Sequence, residues 1–258
     1  MKGIKYFLAF ILLASLLPTK EAEASNRHIS EKVWNEVTPY LLPDDHPIKP
    51  VLDRIFSEER VLLSIKSMKK AGFHNPKPRK WTHTIVTTHP EVPGYVFKVF
   101  LDSQRYFKGK PEYIHWLERI QGALTIDAEI KKRGWDDIFK VPKKWIYLLP
   151  EEPSAPKEFI RKNFILVVED MSIFDTKENV EKWKSDWITE EKLGMLHILL
   201  EELGLHDCTK PDNIPFSIDG KISFIDTQTF NQWPVLYKKL TPYLSPEMQT
   251  HWKNLTKK

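Results

Sequence analysis

Asp219-Gly220 imposes the tightest local constraint on this chain. Two residues that tolerate positive φ, flanked on both sides by alternating apolar positions, predict a two-residue type I′ turn closing a hairpin. With that turn Ile218 pairs with Lys221. Counting outward brings Asn213 opposite Asp226 at the open end, about 5 Å apart at Cβ. An amide oxygen and a carboxylate at the mouth of an apolar hairpin are ligands suited to a hard cation such as Mg²⁺, with phosphate oxygens completing its shell. Asn213 and Asp226 are therefore the expected metal pair.

The same stretch carries a resemblance. The run His206-Asp-Cys-Thr-Lys-Pro-Asp-Asn213, then Phe224-Ile-Asp226 after the hairpin, resembles the catalytic loop and metal-binding Asp of the protein-kinase-like superfamily, where they read H-R-D-x-x-x-x-N and D-F-G. His206, Lys210, Pro211, Asn213 and Asp226 match. Two departures matter more: Cys208 stands at the catalytic Asp position, and Thr227 and Gln228 follow Asp226. No A-P-E follows, and Gly72 and Gly94 are the only glycines between Ile65 and Lys98, so the phosphate-covering glycine loop is missing too.

Upstream, Trp81 to Leu101 reads as a second hairpin, with β-branched Thr82 to Thr88, a turn around His89 to Gly94, and the return strand Tyr95 to Leu101. Alternation places Tyr95, Phe97, Val99 and Leu101 on one face and Val96, Lys98 and Phe100 on the other. Lys98 is thus a cation on an apolar face, which must reach solvent or meet an anion. The resemblance supplies the anion, since Tyr95-Val-Phe-Lys98 is similar to the V-A-I-K strand whose Lys pairs nucleotide phosphates and a helix Glu. That helix is expected over Pro111 to Arg133, opened by Pro and closed by Gly134, with Ile114, Leu117, Leu124 and Ala128 as its apolar stripe and Gly122 weakening it. Glu118, Asp127 and Glu129 are candidate partners for Lys98. Glu129 is preferred because it lies shortly before the strand start at Val141-Pro142. Asn163 to Asp170 reads as a buried strand that resembles the segment entering the hinge, where the backbone around Glu169 to Met171 would hold an adenine edge.

The first 24 residues read as a signal peptide: Lys2 and Lys5, the apolar run Phe7 to Leu17, and the Ala22-Glu-Ala24 cleavage pattern. That run is shorter than the roughly 20 residues a membrane span needs, so export is expected, with no stable span after cleavage. Removing the segment takes three Lys and two Glu from a formal +4, leaving +3. Such mild charge, with only short clusters at Lys77 to Lys80 and Lys131 to Arg133, reads as a solvated face rather than a nucleic-acid surface. The single cysteine excludes an internal disulfide.

Residues 25–60 are Pro-rich and read as an irregular extension, with helical spacing emerging from Val51 to Ala71 and Gly72 as the stop. Thr189 caps a helix whose Leu193, Leu196, Leu200 and Leu203 share a face, and that helix delivers the chain to His206, a structural hydrogen-bonder in the family. Together these readings predict an α+β, bilobal kinase-like fold: residues 61–170 as a β-sheet lobe with one helix, and residues 171–258 as a reduced, mainly helical lobe.

The resemblance implies ATP and Mg²⁺ as cofactors, with Lys98, Glu129, Glu169 and Met171 on the nucleotide and Asn213 and Asp226 on the metal. Cys208 is a poor general base, because an unperturbed thiol titrates near about 8.5. Losing such a base typically costs about 10² to 10⁴ in rate. The expected function is an exported, nucleotide-binding pseudokinase acting through a protein partner. The alternatives are an active small-molecule phosphotransferase that recruits Asp207 or Asp212 as base, and a secreted or envelope interaction protein using the fold as scaffold.

Overall fold

The structure, a computed structural model, describes residues 26–80 and 82–257; the expected signal peptide and Trp81 lie outside the described residues. The chain is α+β. In order its elements are α1 (Glu31–Val37), α2 (Lys49–Glu58), α3 (Ile65–Lys70), β1 (Ile85–Thr87), β2 (Tyr95–Val99), α4 (Glu112–Arg133), β3 (Phe139–Lys140), β4 (Lys144–Leu148), β5 (Phe164–Glu169), α5 (Thr176–Lys184), α6 (Glu190–Glu202), β6 (Ile222–Ser223) and α7 (Pro246–Leu255).

The four longer-range strands form an antiparallel sheet in the order β1-β2-β5-β4, and β3 pairs with β6 in parallel. The apolar run expected as a buried strand is β5, with Phe164 to Val168 all buried between β2 and β4. Alternation along β2 holds as read: Phe97, Val99 and Leu101 join Tyr147, Ile165 and Val167 on one face. Phe100 points to the other, where Trp116 and Ile120 of α4 cover Ile146, Leu166 and Val168.

Helix α4 ties this sheet to the remainder of the molecule. Its far end supplies Ile126 and Ile130 to a second core built from α5, α6, α7 and the hairpin around β6, with Trp183, Leu196, Phe216 and Trp252 fully buried there. Gly134 ends α4 in the left-handed region at φ 67°, as the sequence predicts. The buried stripe differs from the expected one: it runs through Trp116, Leu117, Ile120, Ala123, Ile126 and Ile130, while Leu124 is 56% exposed.

The N-terminal region also departs from expectation. Residues 26–60 are not an irregular wrap: they hold α1 and α2, and Leu52, Ile55 and Phe56 enter the sheet core. Leu41 forms a parallel bridge to Ile146, and the Leu42 amide donates to the Ile146 carbonyl at 2.8 Å, so this segment covers the outer edge of β4. The helix expected over Val51 to Ala71 is two helices: extended Glu59 ends α2, and extended Ser64, whose Oγ accepts from the Ser67 amide at 3.1 Å, starts α3 afresh. No helix among the described residues is long and apolar enough to cross a membrane.

Candidate functional site

The hairpin that carries Asp226 closes differently from the sequence reading. The Ser217 amide donates to the Lys221 carbonyl, and the Gly220 amide donates back to Ser217, so the loop has three residues, Ile218 to Gly220. Gly220 has φ 86°, and Asp219 is not in the positive-φ region that a type I′ turn needs at both positions. Ser217 Oγ and the Lys221 amide both bond Asp219 Oδ1, stabilising the longer loop. The register therefore slips by one residue. The Ile225 amide bonds the Asn213 carbonyl, and Asn213 faces Ile225 rather than Asp226.

Asp226 instead meets α4. Arg119 Nη1 donates to Asp226 Oδ1 at 2.9 Å and also to Gln228 Oε1, so the two residues flanking Thr227 are held by one guanidinium. Thr227 lies between them, fully buried, donating its hydroxyl to the Arg119 carbonyl at 2.5 Å and accepting from Lys144 Nζ at 2.6 Å. Lys98 reaches the same place from β2, donating to the Ile225 carbonyl at 3.3 Å. Four cations act on this one carboxylate: Arg119, Lys98, Lys144 and Arg79. Burial works to raise the Asp226 pKa, but the fields of Arg119, then Lys98 and Lys144, outweigh it and hold the carboxyl well below the usual range. Burial pushes Lys98 down to about 8 despite Asp226, and burial together with the Lys98 charge pushes Lys144 well below its ordinary value.

The other expected site residues are placed as follows. Cys208 is fully buried in the helical core and its Sγ lies 3.2 Å from the Asp226 carbonyl oxygen; burial, then the Asp226 charge, pushes the thiol up. A thiol in that state is neither a base nor a nucleophile. Asp207 Oδ1 takes Lys239 Nζ at 2.7 Å, with Lys210 at 3.8 Å. Asn213 spends its amide on the Asp207 carbonyl at 2.8 Å. His206 Nδ1 contacts the Pro234 carbonyl at 2.6 Å, a structural role. Glu129 does not reach Lys98; it pairs with Lys132 and Arg133 on its own helix. Glu118 and Asp127 are likewise engaged, by Lys110 and Lys131.

At the expected hinge, the Glu169 amide donates to Lys143, the Asp170 amide to the Gly94 carbonyl, and the Met171 carbonyl accepts from Lys140 Nζ at 3.2 Å. Much of that backbone edge is already used within the protein. The donor set does not fit Mg²⁺ either. Asn213 and Asp226 are out of register, Asp226 is neutralised by an arginine, and the surrounding excess charge is positive. Among the described residues no group of three or more His, Cys, Asp or Glu could hold a metal ion.

Neither Arg119 nor Lys144 is singled out by the sequence, and Thr227 stands out there only as a departure from the family pattern after Asp226. Lys144 was within reach of the sequence, because it shares the inward face of β4 with Ile146, the same signal that singled out Lys98.

Fold and site together define an α+β protein with a cluster of cations around one carboxylate. No protein-family model and no curated protein matches the chain. Among solved structures, the complex of Rv3197 with erythromycin from Mycobacterium tuberculosis is similar over 83% of this chain and 63% of that one, at 15% identity and a TM-score of 0.31. This chain thus spans less than two thirds of that neighbour's length, and a likeness of that strength carries no argument.

Proposed function

We propose that this protein is a kinase-like module without phosphotransfer, which binds a nucleotide-class anion at the cation cluster around Asp226 and acts through a protein partner. The observation that carries the reading is Cys208: at the position where the resemblance calls for a catalytic Asp, a thiol is sealed in the helical core. Several further features support it. A four-stranded sheet with α4 following its Lys-bearing strand is consistent with the sheet lobe and one helix that the resemblance implies. Lys98 and Asp226 come together from elements far apart in sequence. Asp207, one of the two alternative bases, is tied to Lys239, which counts against its use in phosphotransfer. Export through residues 1–24 belongs to the same proposal.

The test is a paired assay on the purified protein. Transfer of labelled γ-phosphate to protein or small hydroxyl acceptors should stay at the no-enzyme level, while a nucleotide at 100 times its Kd should stabilise the fold by about 2.7 kcal/mol. Transfer that disappears in Asp226→Ala would overturn the proposal in favour of an active enzyme. A protein that melts identically with and without nucleotide would leave only a scaffold.

A further inference from the structure

The charge around Asp226 is unbalanced, and the imbalance has a direction. Arg119 bonds Asp226 directly, Lys98 and Lys144 donate to Ile225 and Thr227 on either side of it, and the field of Arg79 adds to theirs. Burying cations without anions is unfavourable unless they deprotonate or find a partner. The lysines can deprotonate. Arg119 cannot, because a guanidinium keeps its proton in any protein environment.

Arg119 is also incompletely bonded. It is 6% exposed, its Nη1 serves Asp226 and Gln228, and its Nε is buried with no hydrogen-bond partner. A guanidinium presents its donors as a fork suited to planar or tetrahedral oxyanions, and here part of that fork is unused. Solvent reaches part of the cluster: the Asp226 side chain is 21% exposed, Lys98 is only partly buried and Arg79 is exposed. Arg119 and Lys144 are its buried members.

We infer that this cluster is a metal-independent oxyanion site, in which a phosphate group of the ligand enters between Lys98, Arg79 and Arg119 and Arg119 occupies the place a divalent cation would take beside Asp226. The inference rests on the reading above that this cluster binds a ligand, and it names that ligand's recognised group and excludes its metal. Divalent metal is unfavourable here for the same reason that oxyanion is favourable, since it would stand against several like charges around a carboxylate already paired. Lys144, bonded to Thr227, holds the segment after Asp226 against α4 and contributes charge from behind.

The experiment is a thermal-shift and equilibrium-binding series on the full chain at constant ionic strength, using sodium pyrophosphate with EDTA, ATP with EDTA, ATP with excess Mg²⁺, and adenosine. Pyrophosphate and metal-free ATP should each raise the melting temperature, adenosine should not, and Mg²⁺ should weaken rather than strengthen ATP binding. Lys98→Gln should weaken pyrophosphate about tenfold or more, as expected for losing a charge-assisted contact. Arg79→Glu, at an exposed position that leaves the core untouched, should weaken it as well. Binding that requires Mg²⁺, or pyrophosphate binding unchanged in both variants, overturns the inference while leaving the nucleotide-binding reading intact. Absence of binding in every arm overturns both. Phosphate transfer with Mg²⁺ overturns the reading by a separate readout.

Discussion

Lys98 shows how a single residue records the constraints of its surroundings. Burial lowers its pKa to about 8 even though Asp226 opposes the shift. Between about pH 8 and the unfolded value near 10.4 the unfolded chain holds a proton that the folded chain has released, so stability rises with pH across that window. Below pH 8 both states are protonated and the penalty is fully present. Lys98→Met should therefore be more stable than the wild type at pH 7 by about 2 kcal/mol, after discounting for partial exposure, and the difference should shrink towards pH 10. Urea unfolding at pH 7, 8.5 and 10 measures it; a constant difference would show that Lys98 does not titrate in this window. That Lys98 lies on an inward face was legible from alternation along β2. Its partner was not, because Glu118, Asp127 and Glu129 are all satisfied by nearby lysines or arginines and the position that reaches the cluster, Arg119, carries the opposite charge.

At the scale of elements, α4 and the segment after Asp226 fit only because of Gly122. A Cβ there would stand 1.8 Å from the Thr227 carbonyl oxygen, so the backbones approach more closely than any side chain allows. On propensity alone Gly122→Ala should strengthen the helix by about 1 kcal/mol. In this protein it should instead destabilise by roughly 1–3 kcal/mol through overpacking, and it should loosen the Arg119–Asp226 contact. Thermal melts of the variant, read together with anion binding, check both effects. In the sequence Gly122 reads as a weak point of the helix; its role depends on residue 227 lying against it. The hairpin has the same character. Asp219-Gly220 correctly marks a turn, but whether the loop has two residues or three depends on Ser217 Oγ and the Lys221 amide sharing Asp219. That choice sets which residue Asn213 faces.

For the whole molecule, the N-terminal region is part of the core. Leu52, Ile55 and Phe56 pack on the sheet, each worth about 1.5–3 kcal/mol when fully buried, and Leu41 and Leu42 cover an edge of β4 that would otherwise be open to strand addition. A chain beginning at Val61 should lose cooperative unfolding in circular dichroism melts and self-associate by light scattering. A cooperative, monomeric truncation would mean that the sheet stands without this cover.

The chain specifies by near neighbours where α4 and α6 begin and end, the apolar run of β5 and the face Lys98 takes, because caps, glycines and periodicity act within a few residues. The charge pattern around Asp226 was decided by packing. Arg119 and Asp226 are 107 residues apart, and they meet because the close approach at Gly122 brings the chain after β6 onto α4. No local rule predicts that pairing, since it follows from how the two cores share one helix.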